Sequence, residues 1–129
     1  MFVLAVEEVS MGIEVEGLDH VALAVSEHAL SVRWYRELLG LERSHPEWGD
    51  APAMVMAGNG SGLALFPAGD RPLGFLHLAF RADRARYEAA KETLTREGVA
   101  FQEQDHGTSH SIYFADPDGV RLEITTYEV

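Results

Sequence analysis

A chain without cysteine can hold a metal ion only through imidazole nitrogen and oxygen ligands, and it has neither a thiol nucleophile nor a disulfide. Of its six histidines, two stand in matching surroundings. Gly17-Leu18-Asp19-His20-Val21-Ala22-Leu23 lines up with Gly74-Phe75-Leu76-His77-Leu78-Ala79-Phe80, 57 residues further on. Both read as strands, in which successive side chains face opposite ways. Val21, Leu23 and Val25 are the bulky apolar set of the first, leaving His20, Ala22 and Ala24 on the other face. Leu76, Leu78 and Phe80 play that packing part in the second, and His77 and Ala79 face away. Near the C-terminus Leu122 and Ile124 pack, which turns Arg121, Glu123 and Thr125 toward the two histidines. Two imidazoles and one carboxylate on a common face make a metal site with open coordination positions, the arrangement expected of non-haem iron(II); manganese(II) and zinc(II) accept the same donors. An open position admits water or substrate, as catalysis requires.

The elements that must position these residues come in duplicate. Each half opens with a strand, continues into a helix and offers three further short β segments, at 41–47, 52–57 and 62–66 and again at 99–106, 109–115 and 120–126. The helices show apolar rows at Leu30, Trp34 and Leu38 and at Tyr87, Ala90 and Leu94, with stop signals at Gly40 and Gly98 and an N-cap at Asp83. The fold class expected is α+β, two βαβββ modules in tandem whose sheets curl around a central concavity with helices outside. The modules span 16–66 and 74–126, joined by a Pro/Gly linker at 67–73 inside one domain of residues 16–129. Aligning the modules puts Ala64 where the second has Glu123, so the first half contributes no carboxylate there.

Strand parity adds to the inner face. Ile112 and Phe114 pack, so Ser111 and Tyr113 look inward; Val99 and Phe101 pack, and His106 comes inward by way of Gln102 and Gln104. His28 belongs to a helix start, His45 to a solvent-side strand and His110 to the surface, while Trp34 and Tyr35 are helix packing. Asp116-Pro117-Asp118-Gly119 is turn chemistry.

With 129 residues, 21 of them acidic and ten basic, the chain carries a formal charge of −11 and should repel nucleic acid and anionic lipid. The apolar start MFVLAV lacks a basic flank, is cut short by Glu7 and Glu8, and is too brief for a signal core or membrane span. The expectation is a soluble cytoplasmic protein, with residues 1–15 a tail or an added edge strand.

LDHVALAV, the helix ending WYRELLGLE, LHLAF and SIYFADPDGVRLEIT together resemble the vicinal oxygen chelate superfamily of glyoxalases, bleomycin-resistance proteins, fosfomycin-modifying enzymes and extradiol dioxygenases, over about residues 16–126. The resemblance implies metal ligands at His20, His77 and Glu123, with Ala64 departing from the glyoxalase I pattern. The run from His106 through Ile112-Tyr113, Asp116-Pro117 and Gly119 to Glu123 resembles the extradiol signature, except for Gln104. By that resemblance His106 and Tyr113 would be catalytic beside a catechol-like substrate with adjacent oxygens. Trp48, Met54, Met56 and Phe66 would form its apolar wall, and Arg121 and Arg43 its anion contacts. The implied cofactor is iron(II), with manganese(II) or zinc(II) as alternatives, and the implied assembly a homodimer binding a small molecule. A thiol transferase of the fosfomycin type or another metal-dependent lyase or transferase, and a small-molecule (antibiotic) binding protein without turnover, are the other readings.

Overall fold

The computed structural model describes residues 12–129. Its strands are β1 (Gly17–Val25), β2 (Glu42–Ser44), β3 (Ala53–Met56), β4 (Gly62–Pro67), β5 (Gly74–Arg81), β6 (Gln102–Asp105), β7 (His110–Ala115) and β8 (Arg121–Thr126); its helices are α1 (His28–Leu39) and α2 (Arg84–Arg96). One sheet takes all eight strands in the order β2-β3-β4-β1-β5-β8-β7-β6. Each βαβββ module runs its first strand parallel to its fourth, and the two opening strands, β1 and β5, pair antiparallel at the centre. The result is the α+β tandem expected from the repeat. Of the segment 1–15, residues 1–11 lie outside the described residues and 12–15 form no strand.

The register makes the duplication exact where it matters for the site. Ala22 pairs with Ala64 across β1 and β4, and its counterpart Ala79 pairs with Glu123 across β5 and β8. Two irregularities interrupt the central pair. Leu18 faces Phe80 and His20 faces Ala79, leaving Asp19 as an extra residue; Ala22 faces His77 and Leu23 faces Phe75, leaving Leu76 as the other. Each is a one-residue bulge immediately before a histidine, and a bulge re-aims side chains that strict alternation would send to the opposite face.

The helices cover the convex side. α2 starts at Asp83, whose side chain accepts from the Arg86 amide, and buries Tyr87, Ala90 and Leu94 against Ile112 and Ile124, with Val99 and Phe101 alongside. α1 corrects the expectation drawn from its apolar row: Leu30, Trp34 and Leu38 are 48%, 51% and 63% exposed. Val32 and Tyr35 make the inward contacts instead, against Ala53, Val55 and Leu65. A single row against β3 and β4 suffices for so short a helix, and that row is rotated away from the bulkier one. The left-handed Gly40 (φ 69°) ends α1 as its position suggests.

A separate apolar cluster occupies the concave side, with Ala22, Met54 and Ala64 buried and Trp48, Met56, Phe66 and Leu76 packed around them. The chain leaving β2 crosses toward the second module in a short 3-10 turn, Pro46–Trp48. There Trp48 Nε1 donates to the His106 carbonyl at 3.0 Å, and Thr108 Oγ1 donates to Glu47 at 3.0 Å. His45 is not a solvent-side strand residue. It lies past the end of β2 with φ 54°, its ring stacked on Trp48 at 4.1 Å and on Tyr127 at 5.4 Å.

Candidate metal centre

The central strand pair brings His20 and His77 together because each opens its module at an equivalent position, and their ring centroids are 5.7 Å apart. β8, running parallel beside β5, adds Glu123. His77 Nε2 stands 3.0 Å and His20 Nε2 3.4 Å from the same oxygen, Glu123 Oε1. All three residues are buried, and their ligand atoms lie within 4.8 Å of one another. Two imidazole nitrogens and one carboxylate oxygen, aimed at a common point and contributed by one chain, fit a divalent transition metal ion. The fourth quadrant, where the repeat sets Ala64 opposite Glu123, presents only a methyl group.

A layer of hydrogen bonds holds these donors. Ser111 Oγ donates to Glu123 Oε2 at 2.7 Å, leaving Oε1 for the histidines. Asp19, fully buried, takes the His20 Nδ1 at 2.7 Å, the Tyr127 hydroxyl at 2.8 Å and Arg81 Nε at 2.8 Å. Burial alone would favour a neutral His20, but the hydrogen bonds to the Asp19 and Glu123 carboxylates outweigh it and push that imidazole up to about 9. Burial likewise opposes the Glu123 charge, and its hydrogen bonds with His20 and His77 overcome this and hold the carboxyl well below the usual range. A proton on His20 and a cation held there would be alternatives, so taking up a cation would release the proton.

A cavity of about 650 Å³ opens over the cluster. Trp48, Met54 and Phe66 form part of its wall, with His106, Tyr113 and Arg121 on the side of the second module. His106 Nε2 and the Tyr113 hydroxyl share a hydrogen bond of 3.0 Å, and the Tyr113 ring stands edge-on to His77 at 6.0 Å. Burial, reinforced by the Glu123 charge, pushes the Tyr113 phenol up, so it remains a hydrogen-bond donor at neutral pH. Met56 does not line this cavity: it sits at the far end of β3, packed over Gly62, where a Cβ would come within 2.7 Å of its sulfur. Arg43 is also elsewhere, bonded to the Gly49 carbonyl and Asp50.

Strand parity overlooked four contributors. Leu76 lines the cavity because the β5 bulge turns it from the packing face, and Asp19 reaches His20 through the corresponding bulge in β1. Tyr127 follows the last strand, and Arg71 belongs to the inter-module linker; both line the cavity. Only Asp19 left a trace in the sequence, as an acid beside His20 in a strand whose other residues are apolar or glycine.

The profile of the Glyoxalase/Bleomycin resistance protein/Dioxygenase superfamily matches residues 17–124. The chain belongs to that superfamily. Among curated relatives, it is 30% identical over 113 residues to the glutathione transferase FosA of Serratia marcescens, covering 84% of this chain and 79% of the relative. It is 30% identical over 120 residues to the metallothiol transferase FosB of Staphylococcus epidermidis, covering 87% and 84%. Similar solved structures include methylmalonyl-CoA epimerase from Mycobacterium tuberculosis (TM-score 0.73, 23% identity, 89% of each chain). Another is the 2,3-dioxygenase LapB from Pseudomonas sp. KL28 (TM-score 0.76, 19% identity), where the match covers 87% of this chain and 41% of that one. At these identities the solved structures bear on the fold alone, which they share with this superfamily member.

Proposed function

We propose that this superfamily member is a divalent-metal-dependent enzyme in which His20, His77 and Glu123 would hold the ion and the substrate is a small molecule with adjacent oxygens to present to it. The observation carrying this reading is the convergence of three buried ligand atoms within 4.8 Å beneath an open cavity. A bound divalent ion would supply Lewis acidity and a template for substrate oxygens. The chain's own groups do the rest. Tyr113 donates a hydrogen bond to a substrate oxygen, and His106, bonded to that phenol, accepts or returns a proton. Trp48, Met54 and Phe66 exclude water from the apolar part of the substrate. Arg121 lies over the Tyr113 ring at 4.5 Å and Arg71 over the Phe66 ring at 5.7 Å, flanking the cavity. Neither makes an ion pair with a carboxylate among the described residues, which suits them to an anionic substrate group.

Two reactions fit these groups. Thiol transfer to a vicinal-oxygen substrate is favoured by likeness to the FosA and FosB transferases over most of the chain, and it calls for a redox-inert role of the ion, as manganese(II) or zinc(II) provides. Extradiol-type ring cleavage of a catechol-like substrate, with iron(II), is favoured by the bonded His106–Tyr113 pair beside His77. Assays on metal-loaded protein separate them: thiol consumption with fosfomycin and glutathione, against oxygen uptake with a panel of catechols. Activity in either assay should vanish in Glu123→Gln; ligand binding without turnover in both would make the protein a binding module instead. A homodimer is proposed for the assembly.

A further inference from the structure

The two bulges provide a comparison inside the molecule. Both occur at the residue before a histidine, at equivalent places in the repeat. In β5 the residue is Leu76, an aliphatic side chain on the cavity wall. In β1 it is Asp19, with 0% exposure. Since the second module builds the same backbone around leucine, the fold does not demand a carboxylate there, and burying one is costly unless it is paired. Asp19 therefore answers a requirement particular to His20.

Its contacts indicate what that requirement is. Oδ2 accepts from His20 Nδ1 at 2.7 Å and from the Tyr127 hydroxyl at 2.8 Å, while Oδ1 accepts from Arg81 Nε at 2.8 Å. Arg81 in turn donates through Nη2 to the Gly60 carbonyl, in the turn between β3 and β4, and its guanidinium lies 5.9 Å from the Tyr127 ring. A carboxylate held from three directions is fixed in orientation. The hydrogen bond it offers then selects the tautomer with the proton on Nδ1 and leaves Nε2 facing Glu123 Oε1.

We propose that Asp19, anchored by Arg81 and Tyr127, is the positioning residue of His20: it sets the ring angle and tautomer in which Nε2 is presented to a divalent cation. This rests on the reading of His20, His77 and Glu123 as ligands. It makes the histidines inequivalent, with His20 preset by a carboxylate that His77 has no counterpart for at the matching position, Leu76.

Cobalt(II) titration of the metal-free protein tests the assignment, because cobalt's visible absorption reports ligand geometry as well as occupancy. Asp19→Ala should weaken cobalt binding by roughly 10- to 100-fold and change the absorption envelope. Asp19→Asn, which keeps an oxygen acceptor for Nδ1, should recover part of both. If Asp19→Ala does not fold, Asp19→Asn and Tyr127→Phe decide in its place. Folded Asp19 variants, or that second pair, with wild-type affinity and spectrum would overturn the proposal. His77→Ala is titrated in parallel: loss of binding there beside unchanged Asp19 variants removes only the positioning role, whereas unchanged binding in His77→Ala removes the ligand reading beneath it.

Discussion

Glu123 is the residue on which both halves of the centre converge, one oxygen facing the two imidazoles and the other bonded to Ser111. Glutamine there preserves volume and removes the charge, so Glu123→Gln should lose more manganese(II) affinity than the roughly 10- to 100-fold expected when an outer partner is removed. Ser111→Ala frees the second oxygen to rotate and should fall within that smaller range; calorimetric titration of both variants checks the order. The convergence of His20, His77 and Glu123 was legible from strand parity because alternation holds from each histidine onward, where the opposite face is packed. Asp19, Leu76 and His45 were not, and the reasons are local. Two sit at bulges, where alternation fails, and His45 occupies a left-handed position beyond its strand.

At the scale of elements, β6 is fastened to α2 through one carboxylate. Glu103 accepts from the Tyr87 hydroxyl at 2.9 Å and from Lys91 Nζ at 2.9 Å. Lys91, and after it Tyr87, hold the Glu103 carboxyl below its usual value of 4.5. A carboxyl lowered on folding adds stability above its unfolded pKa and loses it as pH falls through the folded one. Wild type should therefore exceed Glu103→Gln in urea midpoint at pH 7, with the difference fading as the pH falls below the usual carboxyl value of 4.5. The effect should be small, since the pair is partly open to solvent. Every strand and both helices were legible from the repeat, including the Asp83 cap and the Gly40 stop. The inward face of α1 was not. Its bulkiest apolar row, Leu30, Trp34 and Leu38, points outward, because position relative to β3 and β4 decides burial and side-chain size does not.

For the whole molecule, the antiparallel β1–β5 pair builds the centre inside one chain, and the turn carrying Glu47 and Trp48 fastens the first module to the β6–β7 connection of the second. The stack of Trp48, His45 and Tyr127 runs from the cavity wall toward Asp19, so the modules meet through aromatic surface as well as through the sheet. A proposed homodimer would then leave each site complete. On dilution until sedimentation velocity shows monomers, metal per chain should stay constant; a stoichiometry that falls with dissociation would mean that the ligands are shared between subunits.

Metal stoichiometry tests the central claim most directly. Metal-free protein is reconstituted anaerobically with iron(II), and separately with manganese(II) and zinc(II), then desalted and assayed for bound ion alongside His77→Ala and Glu123→Gln. The convergence of His20, His77 and Glu123 predicts one ion per chain for at least one of these metals in the wild type and marked loss in both variants. No stoichiometric ion in the wild type, or equal retention in all three proteins, would contradict it.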